Sequence, residues 1–311
     1  VTVNAAGAVS NNLTIDAGAG TAITLNLTAA GVLTSSGNVS ILSNNILAFG
    51  GAGTFNVKGA FSYSGAASAP TAGTVAFTGT LGTSLITPGN FTFYNLTING
   101  TGATYTLGAA ITANNDITIS NGTFDVSGAN YGVTCKGNWT VGSGTFNYQA
   151  GTVTLSKAGT ATQTISGATF YNLVLDNATA ATTGSKTLAN AVNILGALTI
   201  GNGGAGISQL NAGANDISVA GNWTNNCVGG LSSSGTVSLN GISGTQTIAG
   251  SQSTTFNNLI LSGSATKNIN TSEQVNGDLQ FSSNSGTVTL AAAAVISDGG
   301  GNNTFTISGS N

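Results

Sequence analysis

The chain has 311 residues, a net charge of −3 and only 4% charged residues, against about a quarter in an ordinary globular protein. It contains no His, which excludes a Ser–His catalytic pair, and its five basic residues form no cluster of the kind that binds nucleic acid. No apolar run approaches the roughly 18 residues of a membrane-spanning helix. Composition therefore predicts neither a nucleic-acid partner nor membrane insertion.

Short motifs recur along the chain in a fixed order. An opening segment, Gly-Thr-Val-x-Phe/Leu, stands at residues 73–77, 151–155 and 235–239. A Phe-x-Asn-Leu segment follows it at residues 93–96, 170–173 and 256–259. A third landmark is centred on glycines that recur at unequal intervals, namely Gly59, Gly137, Gly221 and Gly309. Constant order with variable spacing indicates repeats whose length changes fall in surface loops.

These landmarks divide the chain into four internal repeats. The first, approximately residues 1–72, is atypical because it lacks a full opening segment, although Asn12-Leu13-Thr14-Ile15 matches the later strands. The others span approximately residues 73–150, 151–234 and 235–311. Because the repeats follow one another without a linker, we expect a single continuous domain over residues 1–311.

Runs of four to six residues with period-2 patterning, separated by turn residues, predict an all-β fold. No stretch has the 3.6-residue periodicity of a helix. Two architectures fit: a parallel β-solenoid (β-helix) with about three coils per repeat, and a string of immunoglobulin-like sandwiches. The shortness and mutual similarity of the strands favour the solenoid. In it, six aliphatic side chains from equivalent strands should point into the core: Leu96, Ile98, Leu173, Leu175, Leu259 and Leu261.

The acidic residues argue against an enzyme. Carbohydrate-cleaving enzymes on β-helical scaffolds need paired carboxylates or carboxylates with a cation, whereas the eight acids here are scattered. Asp116, Asp216 and Asp278 each precede a predicted strand, which is typical of turn formers. We therefore expect no catalytic residue, no cofactor and no metal site, and a β-helical polysaccharide lyase or hydrolase is the least favoured of three functions.

Four aromatic residues are candidates for either packing or sugar stacking: Trp139, Trp223, Tyr94 and Tyr171. The two Trp residues align with Phe61 in the repeats, and a position that stays aromatic in every repeat favours core packing. Of the two cysteines, Cys135 lies at a repeat position that is occupied by Val57 and Val219 in other repeats. This alignment indicates that Cys135 is a small, buried hydrophobic residue. Cys227 falls at a different repeat position, which argues against a disulfide between the two.

Together these motifs resemble the β-strand-repeat regions of bacterial surface and secreted proteins: adhesins, haemagglutinin-like exoproteins and autotransporter passengers. The resemblance is carried by the opening segments, the Phe-x-Asn-Leu strands, the Gly-Asn-Trp-Thr segments at 137–140 and 221–224, and Gln-Thr-Ile at 163–165 and 246–248. It covers nearly the whole chain but identifies a class only. It implies a passive role outside the cell: a non-enzymatic structural subunit or segment of a surface fibre or adhesin stalk, or alternatively a module that binds glycans or a host surface.

The two ends predict self-association. An open solenoid end presents unpaired backbone groups above a slice of apolar core, and neither end of this sequence has a capping helix, prolines or inward charges. We expect Val1 and Val3 at one end, and Phe305 and Ile307 at the other, to contact a further coil. That coil belongs either to a second copy in an end-to-end homopolymer or to flanking repeats of a longer chain.

Overall fold

The computed structural model describes residues 1–18, 20–167, 169–177, 179, 182–201, 206–282 and 286–299, and the backbone of 305–308. The described residues form 38 strands and no helix, so none of them lies in a helix that could cross a bilayer. The strands stack in parallel as a β-solenoid of about 13 turns. The predicted all-β solenoid is thereby confirmed. The chain divides into two compact units, Val1–Gly151 and Thr152–Asn311.

The strands of the first unit are β1 (Thr2–Val3), β2 (Ala6–Val9), β3 (Leu13–Ile15), β4 (Thr24–Leu27), β5 (Val32–Ser35), β6 (Val39–Ile41), β7 (Ile46–Phe49), β8 (Thr54–Val57), β9 (Phe61–Tyr63), β10 (Thr74–Phe77), β11 (Gly82–Thr87), β12 (Asn95–Leu107), β13 (Ile111–Ala113), β14 (Ile117–Asp125), β15 (Val133–Cys135), β16 (Trp139–Val141) and β17 (Thr145–Asn147). The strands β12 and β14 each span two faces of a turn. For example, β12 pairs with β10 through residues 95–98 and with β11 through residues 103–107.

The strands of the second unit are β18 (Thr152–Leu155), β19 (Gln163–Ser166), β20 (Thr169–Phe170), β21 (Asn172–Leu175), β22 (Thr183–Leu188), β23 (Val192–Ile194), β24 (Leu198–Ile200), β25 (Ile207–Gly213), β26 (Ile217–Val219), β27 (Trp223–Asn225), β28 (Leu231–Ser233), β29 (Thr236–Leu239), β30 (Thr245–Ala249), β31 (Thr255–Phe256), β32 (Asn258–Ser262), β33 (Thr266–Ile269), β34 (Glu273–Val275), β35 (Leu279–Ser282), β36 (Val288–Leu290), β37 (Ile296–Asp298) and β38 (Phe305–Ser308). Every third strand pairs, as in β18-β21-β24-β27, so each turn contributes one strand to each of three faces.

Inward side chains stack in columns from turn to turn. In the first unit one column consists of Leu33, Phe55, Val75, Leu96, Ile117 and Trp139. All six are buried, because alternate residues of a strand point to the same face and the parallel register places each above its counterpart. The six aliphatic residues predicted to point inward from the Asn-Leu strands are also buried, with at most 1% of each exposed.

All the described strand pairs are parallel, which excludes the alternative of antiparallel immunoglobulin-like sandwiches. The length of a turn varies: the turn that leads from Thr54 to its partner Thr74 is shorter than the one that leads from Leu198 to its partner Trp223. The extra residues lie between strands, where they leave the register intact. This variation explains why the repeat motifs keep their order but not their spacing.

The sequence repeat does not correspond to a whole number of turns. In the second unit the opening segments form β18 and β29, and the Asn-Leu segments form β21 and β32. The repeat at residues 151–234 therefore contains 11 strands, or three turns and two further strands, rather than about three coils as the sequence predicted. Equivalent motifs consequently lie on different sheets, β18-β21-β24-β27 and β20-β23-β26-β29-β32.

Asparagine and aspartate side chains join successive turns at the corners. In each case the side-chain Oδ1 accepts a hydrogen bond from a backbone N–H of the next turn, as Asn172 does from Ala197 at 2.9 Å and Asn258 from Asp278 at 2.9 Å. The residue before the donor is often a glycine whose added Cβ would overlap that Oδ1. Such glycines are Gly37, Gly59, Gly137, Gly196 and Gly277. This arrangement explains the Asn of the Phe-x-Asn-Leu segments and two of the landmark glycines; Gly309 lies outside the described residues.

Candidate functional site

The two Trp residues are core residues. Both are fully buried: Trp139 packs edge-on against Phe146 with ring centroids 4.9 Å apart, and Trp223 packs against Phe256 at 5.2 Å. A sugar ring cannot stack on either indole in this fold. The other two candidates, Tyr94 and Tyr171, are half-buried residues at corners, so they alone of the four retain surface that a ligand could reach.

Two acidic side chains that the sequence assigned to turns, those of Asp116 and Asp216, accept backbone hydrogen bonds at corners. Asp116 Oδ1 accepts a hydrogen bond from Asn138 N at 2.6 Å, and Asp216 Oδ1 accepts one from Thr236 N at 2.8 Å. Asp278 lies at an equivalent corner, where its own N–H donates to Asn258. Within the described part of the chain, no three His, Cys, Asp or Glu side chains come together in a way that could hold a metal ion.

A shallow groove of about 410 Å³ crosses the outer surface of β20, β23 and β26. Its polar lining includes Thr169, Asn193, Asp216, Ser218 and Ser238. The aliphatic residues Val192 and Ile217 also line it. The register places Thr169, Asn193, Ser218 and Ser238 side by side in successive turns. The result is a row of hydroxyl and amide groups that repeats once per turn, with a single carboxylate beside it.

The core also contains polar side chains that the sequence analysis did not single out as sites. Tyr105, Lys186 and Lys267 recur at equal intervals along the sequence, at equivalent positions of three repeats, and all are buried. Their polar tips reach backbone groups at one corner of each repeat. Tyr105 Oη accepts from Gly79 N at 2.6 Å, Lys186 Nζ donates to Lys157 O at 2.9 Å, and Lys267 Nζ donates to Gly241 O at 3.2 Å.

The same corners are held by buried Gln side chains in the two repeats that have Lys. Gln163 Oε1 accepts from Lys157 N at 3.2 Å, and Gln246 Oε1 accepts from Gly241 N at 3.0 Å. Each Gln pairs in register with the Lys of the next turn, Gln163 with Lys186 and Gln246 with Lys267. These Gln residues belong to the Gln-Thr-Ile motifs, so the motif marks a buried polar position inside a β-strand.

Burial shifts the ionisation of the charged members of this core. Removal from water lowers the pKa of the Lys267 amine, because the ammonium loses hydration that two carbonyls, those of Gly241 and Ala265, replace only in part. Burial also raises the pKa of the Tyr105 phenol. The sequence signal that could have revealed these residues is a lysine in the inward register of a strand.

Glu273 is a buried carboxylate at a position that other repeats fill with aliphatic residues. Ile111 and Val192 precede it at the same regular interval that separates Tyr105, Lys186 and Lys267. Its Oε2 accepts from Thr254 N at 2.5 Å, and its Oε1 accepts from the Thr271 hydroxyl. Burial raises the pKa of the Glu273 carboxyl, and the hydrogen bonds from Thr271 and Thr254 offset part of that increase.

Both cysteines are free and buried. Cys135 points inward from β15, as its alignment with valines predicted, and its Sγ lies 3.3 Å from Gly137 O. Cys227 follows β27, and its Sγ accepts a hydrogen bond from Ser208 N at 3.3 Å.

The first turn of the first unit has an open edge. β1, β2 and β3 pair only with β4, β5 and β6, so among the described residues no strand lies against their other edge. Val1 is 76% exposed and its ammonium donates to Thr24 O at 2.7 Å, while Val3 O accepts from Thr28 N at 3.0 Å. Both predicted contact residues thus lie on the exposed end turn.

The last strands of the second unit, β36, β37 and β38, pair only with β33, β34 and β35 among the described residues. Phe305 and Ile307 lie in β38, of which the backbone alone is described, so the predicted contacts of their side chains fall outside the described part. Leu290 and Val295 nearby are 42% and 56% exposed, and no turn covers them within the described part of the chain.

Comparison with known proteins returns no match. No family model fits the chain, and neither a curated protein nor a solved structure is similar to it.

Proposed function

We propose that the chain is a non-enzymatic structural protein, a β-solenoid subunit or segment of a self-associating fibre or adhesin stalk at the cell surface. The observation that carries the proposal is the open end turn formed by β1, β2 and β3. Resemblance to bacterial surface repeats, through the motifs described above, supports the extracellular location and the class of protein.

The end turn has both components of a strand-pairing surface. The carbonyls of Ala5 and Val9 accept hydrogen bonds from the next turn, so the intervening Ala6 and Ala8 direct their N–H and C=O groups to the opposite, open edge. The inward residues Leu13 and Ile15 are only half-buried, because no preceding turn covers them. Pairing with another turn would satisfy these backbone groups and bury this apolar surface.

Low charge supports association of such ends. The chain carries five basic and eight acidic residues in 311, so little like-charge repulsion opposes the approach of two copies. The turn formed by β36–β38 supplies three strands that have no partner on their other edge among the described residues, and the first turn likewise presents three strands. The partner is a second copy of the chain or the flanking repeats of a longer one.

Negative-stain microscopy and sedimentation of the purified chain test this proposal. Unbranched fibres whose length grows with concentration support end-to-end association of identical copies. Irregular aggregates that become soluble when a further turn is added at either end support a segment of a longer array. A stable monomer under all conditions contradicts both.

Glycan binding is the second candidate, favoured by the groove across β20, β23 and β26. Hydroxyl and amide groups at regular spacing, with one carboxylate beside them, suit an uncharged, hydroxyl-rich polymer in extended form. Substitution of Asn193 by Ala should abolish any glycan-array signal that arises in the groove. Substitution of Tyr94 by Ala should leave that signal unchanged, because Tyr94 does not line the groove.

A further inference from the structure

Three buried polar groups on successive turns of the second unit form one hydrogen-bonded chain. Trp223 on β27 donates its indole N–H to Thr254 Oγ1 at 3.0 Å, and the backbone N–H of Thr254 donates to Glu273 Oε2 at 2.5 Å. The exposed fractions are 0% for Trp223, 1% for Thr254 and 2% for Glu273. The carboxylate thus lies at the end of a polar chain that crosses the core.

The equivalent positions two repeats earlier are all apolar. The residues equivalent to Trp223, Thr254 and Glu273 are Phe61, Phe91 and Ile111, respectively. There the two rings pack with centroids 5.8 Å apart, and Ile111 is buried. In the intervening copy Trp139 stands with the aliphatic Val192, so a Trp at this position does not require the carboxylate. What joins Trp223, Thr254 and Glu273 is the pair of hydrogen bonds that runs through Thr254.

We propose that Glu273, Thr254 and Trp223 form a proton-controlled latch that holds three successive turns of the second unit together. With Glu273 protonated, the carboxyl group occupies the core as a neutral group that still accepts the Thr254 N–H. With Glu273 ionised, a negative charge lies in the core and its two described partners, Thr254 and Thr271, are both neutral. Loss of the proton therefore loosens the contact between these turns.

The charged groups on the elements around Glu273 do not replace the missing cation. Lys267, on the preceding strand β33, donates its amine to the carbonyls of Gly241 and Ala265. Asp298 on β37 lies beside Val275, and Asp278 follows β34 at the next corner. Both of these add negative charge. β27 and β31 carry no titratable side chain. Burial favours the neutral form of Glu273, and the hydrogen bonds from Thr271 and Thr254 offset part of that preference.

Glu273 is the one glutamate in the chain, so selective labelling observes it alone. Carbon-13 labelling of the glutamate carboxyl should give a single resonance whose titration midpoint lies above about 4.3, the ordinary value for Glu. The indole N–H resonance of Trp223 should shift with the same midpoint. That of Trp139, its equivalent in the preceding repeat, should not shift and is the matched control.

Two variants complete the test. E273Q keeps a neutral acceptor at the position, and in it the Trp223 resonance should no longer change with pH. D16N removes an exposed carboxylate and should leave the pH dependence of the Trp223 indole N–H resonance as it is in the unmodified chain. A glutamate midpoint at or below about 4.3, or a Trp223 resonance that does not follow Glu273, would overturn the proposal. The labelling experiment needs no substitution, so it tests the proposal even if E273Q fails to fold.

Discussion

Gly137 leaves the space that the side chain of Asp116 occupies in the turn below it. The Asp116 carboxylate accepts a hydrogen bond from Asn138 N at 2.6 Å, and a Cβ on Gly137 would overlap the accepting oxygen. The pair recurs as Asn38 with Gly59 and as Asn258 with Gly277. A short polar side chain and a glycine one turn later therefore form the unit that fixes these corners.

Substitution of Gly137 by Ala should destabilise the protein by about 1–3 kcal/mol, because the new methyl group must displace the Asp116 carboxylate or the backbone that it contacts. The matched control is G128A. Gly128 lies at an exposed turn, and an added Cβ there meets no atom within 4 Å. Thermal unfolding of the two variants measures the difference, and equal effects would show that the corner does not depend on the missing Cβ.

Truncation of Leu173 to Ala should cost about 2–5 kcal/mol, because the side chain is 1% exposed and its removal leaves a cavity between stacked turns. Thr97 occupies the outward position of the equivalent strand in the preceding repeat, and T97A should cost far less. Denaturant unfolding gives both values. Similar losses at the two positions would contradict the assigned inward and outward faces.

The buried amine of Lys267 should be more important for stability than its exposed counterparts. K267M keeps much of the side-chain volume but removes the amine's hydrogen bonds to two buried carbonyls, that of Ala265 and that of Gly241, of which Gly241 O keeps the Ala265 N–H. We therefore expect a loss of about 1–3 kcal/mol. K136M is the control, since Lys136 donates to Asn114 at an exposed corner and its loss should stay within about 0.5 kcal/mol. An unchanged or raised melting temperature for K267M would indicate that desolvation of the amine outweighs its hydrogen bonds.

The raised pKa of Glu273 gives the latch a thermodynamic signature with a definite sign. The pKa of the Glu273 carboxyl is higher in the folded chain than in the unfolded chain. The group therefore stabilises the fold at pH values below its pKa in the unfolded chain, and this contribution is lost as the pH rises through its pKa in the folded chain. E273Q cannot ionise. The free energy of unfolding of the unmodified chain should therefore fall relative to that of E273Q as pH increases from about 4, and a constant difference would exclude the effect.

Much of the fold could be predicted from the sequence, because the repeats place aliphatic residues such as Leu96, Leu173 and Leu259 at one strand position, and burial of that position is what drives stacking. The packing of Trp139 and Trp223 followed from the same reasoning, since an aromatic residue kept in every repeat suits a core. The order of motifs could be recognised without knowledge of which residues pair between turns.

The pairing between turns could not be predicted. The shift of equivalent motifs from one sheet to another depends on the number of strands per repeat, which no local pattern encodes. The buried positions of Lys186, Lys267 and Glu273 could not be predicted, because a charged residue in a short strand is expected to face the solvent. Their inward orientation depends on backbone groups at corners far away in sequence, such as Lys157 O for Lys186 and Thr254 N for Glu273.

Sedimentation velocity of the isolated chain, compared with that of A8P, tests the structural role most directly. Ala8 directs its N–H to the open edge of β2, so proline there removes an outward donor and preserves the pairing of β2 with β5. The unmodified chain should form large species at micromolar concentration that appear as fibres in negative stain, and A8P should remain monomeric. A soluble monomer of the unmodified chain after prolonged incubation, or equal assembly of both proteins, would contradict association through this edge.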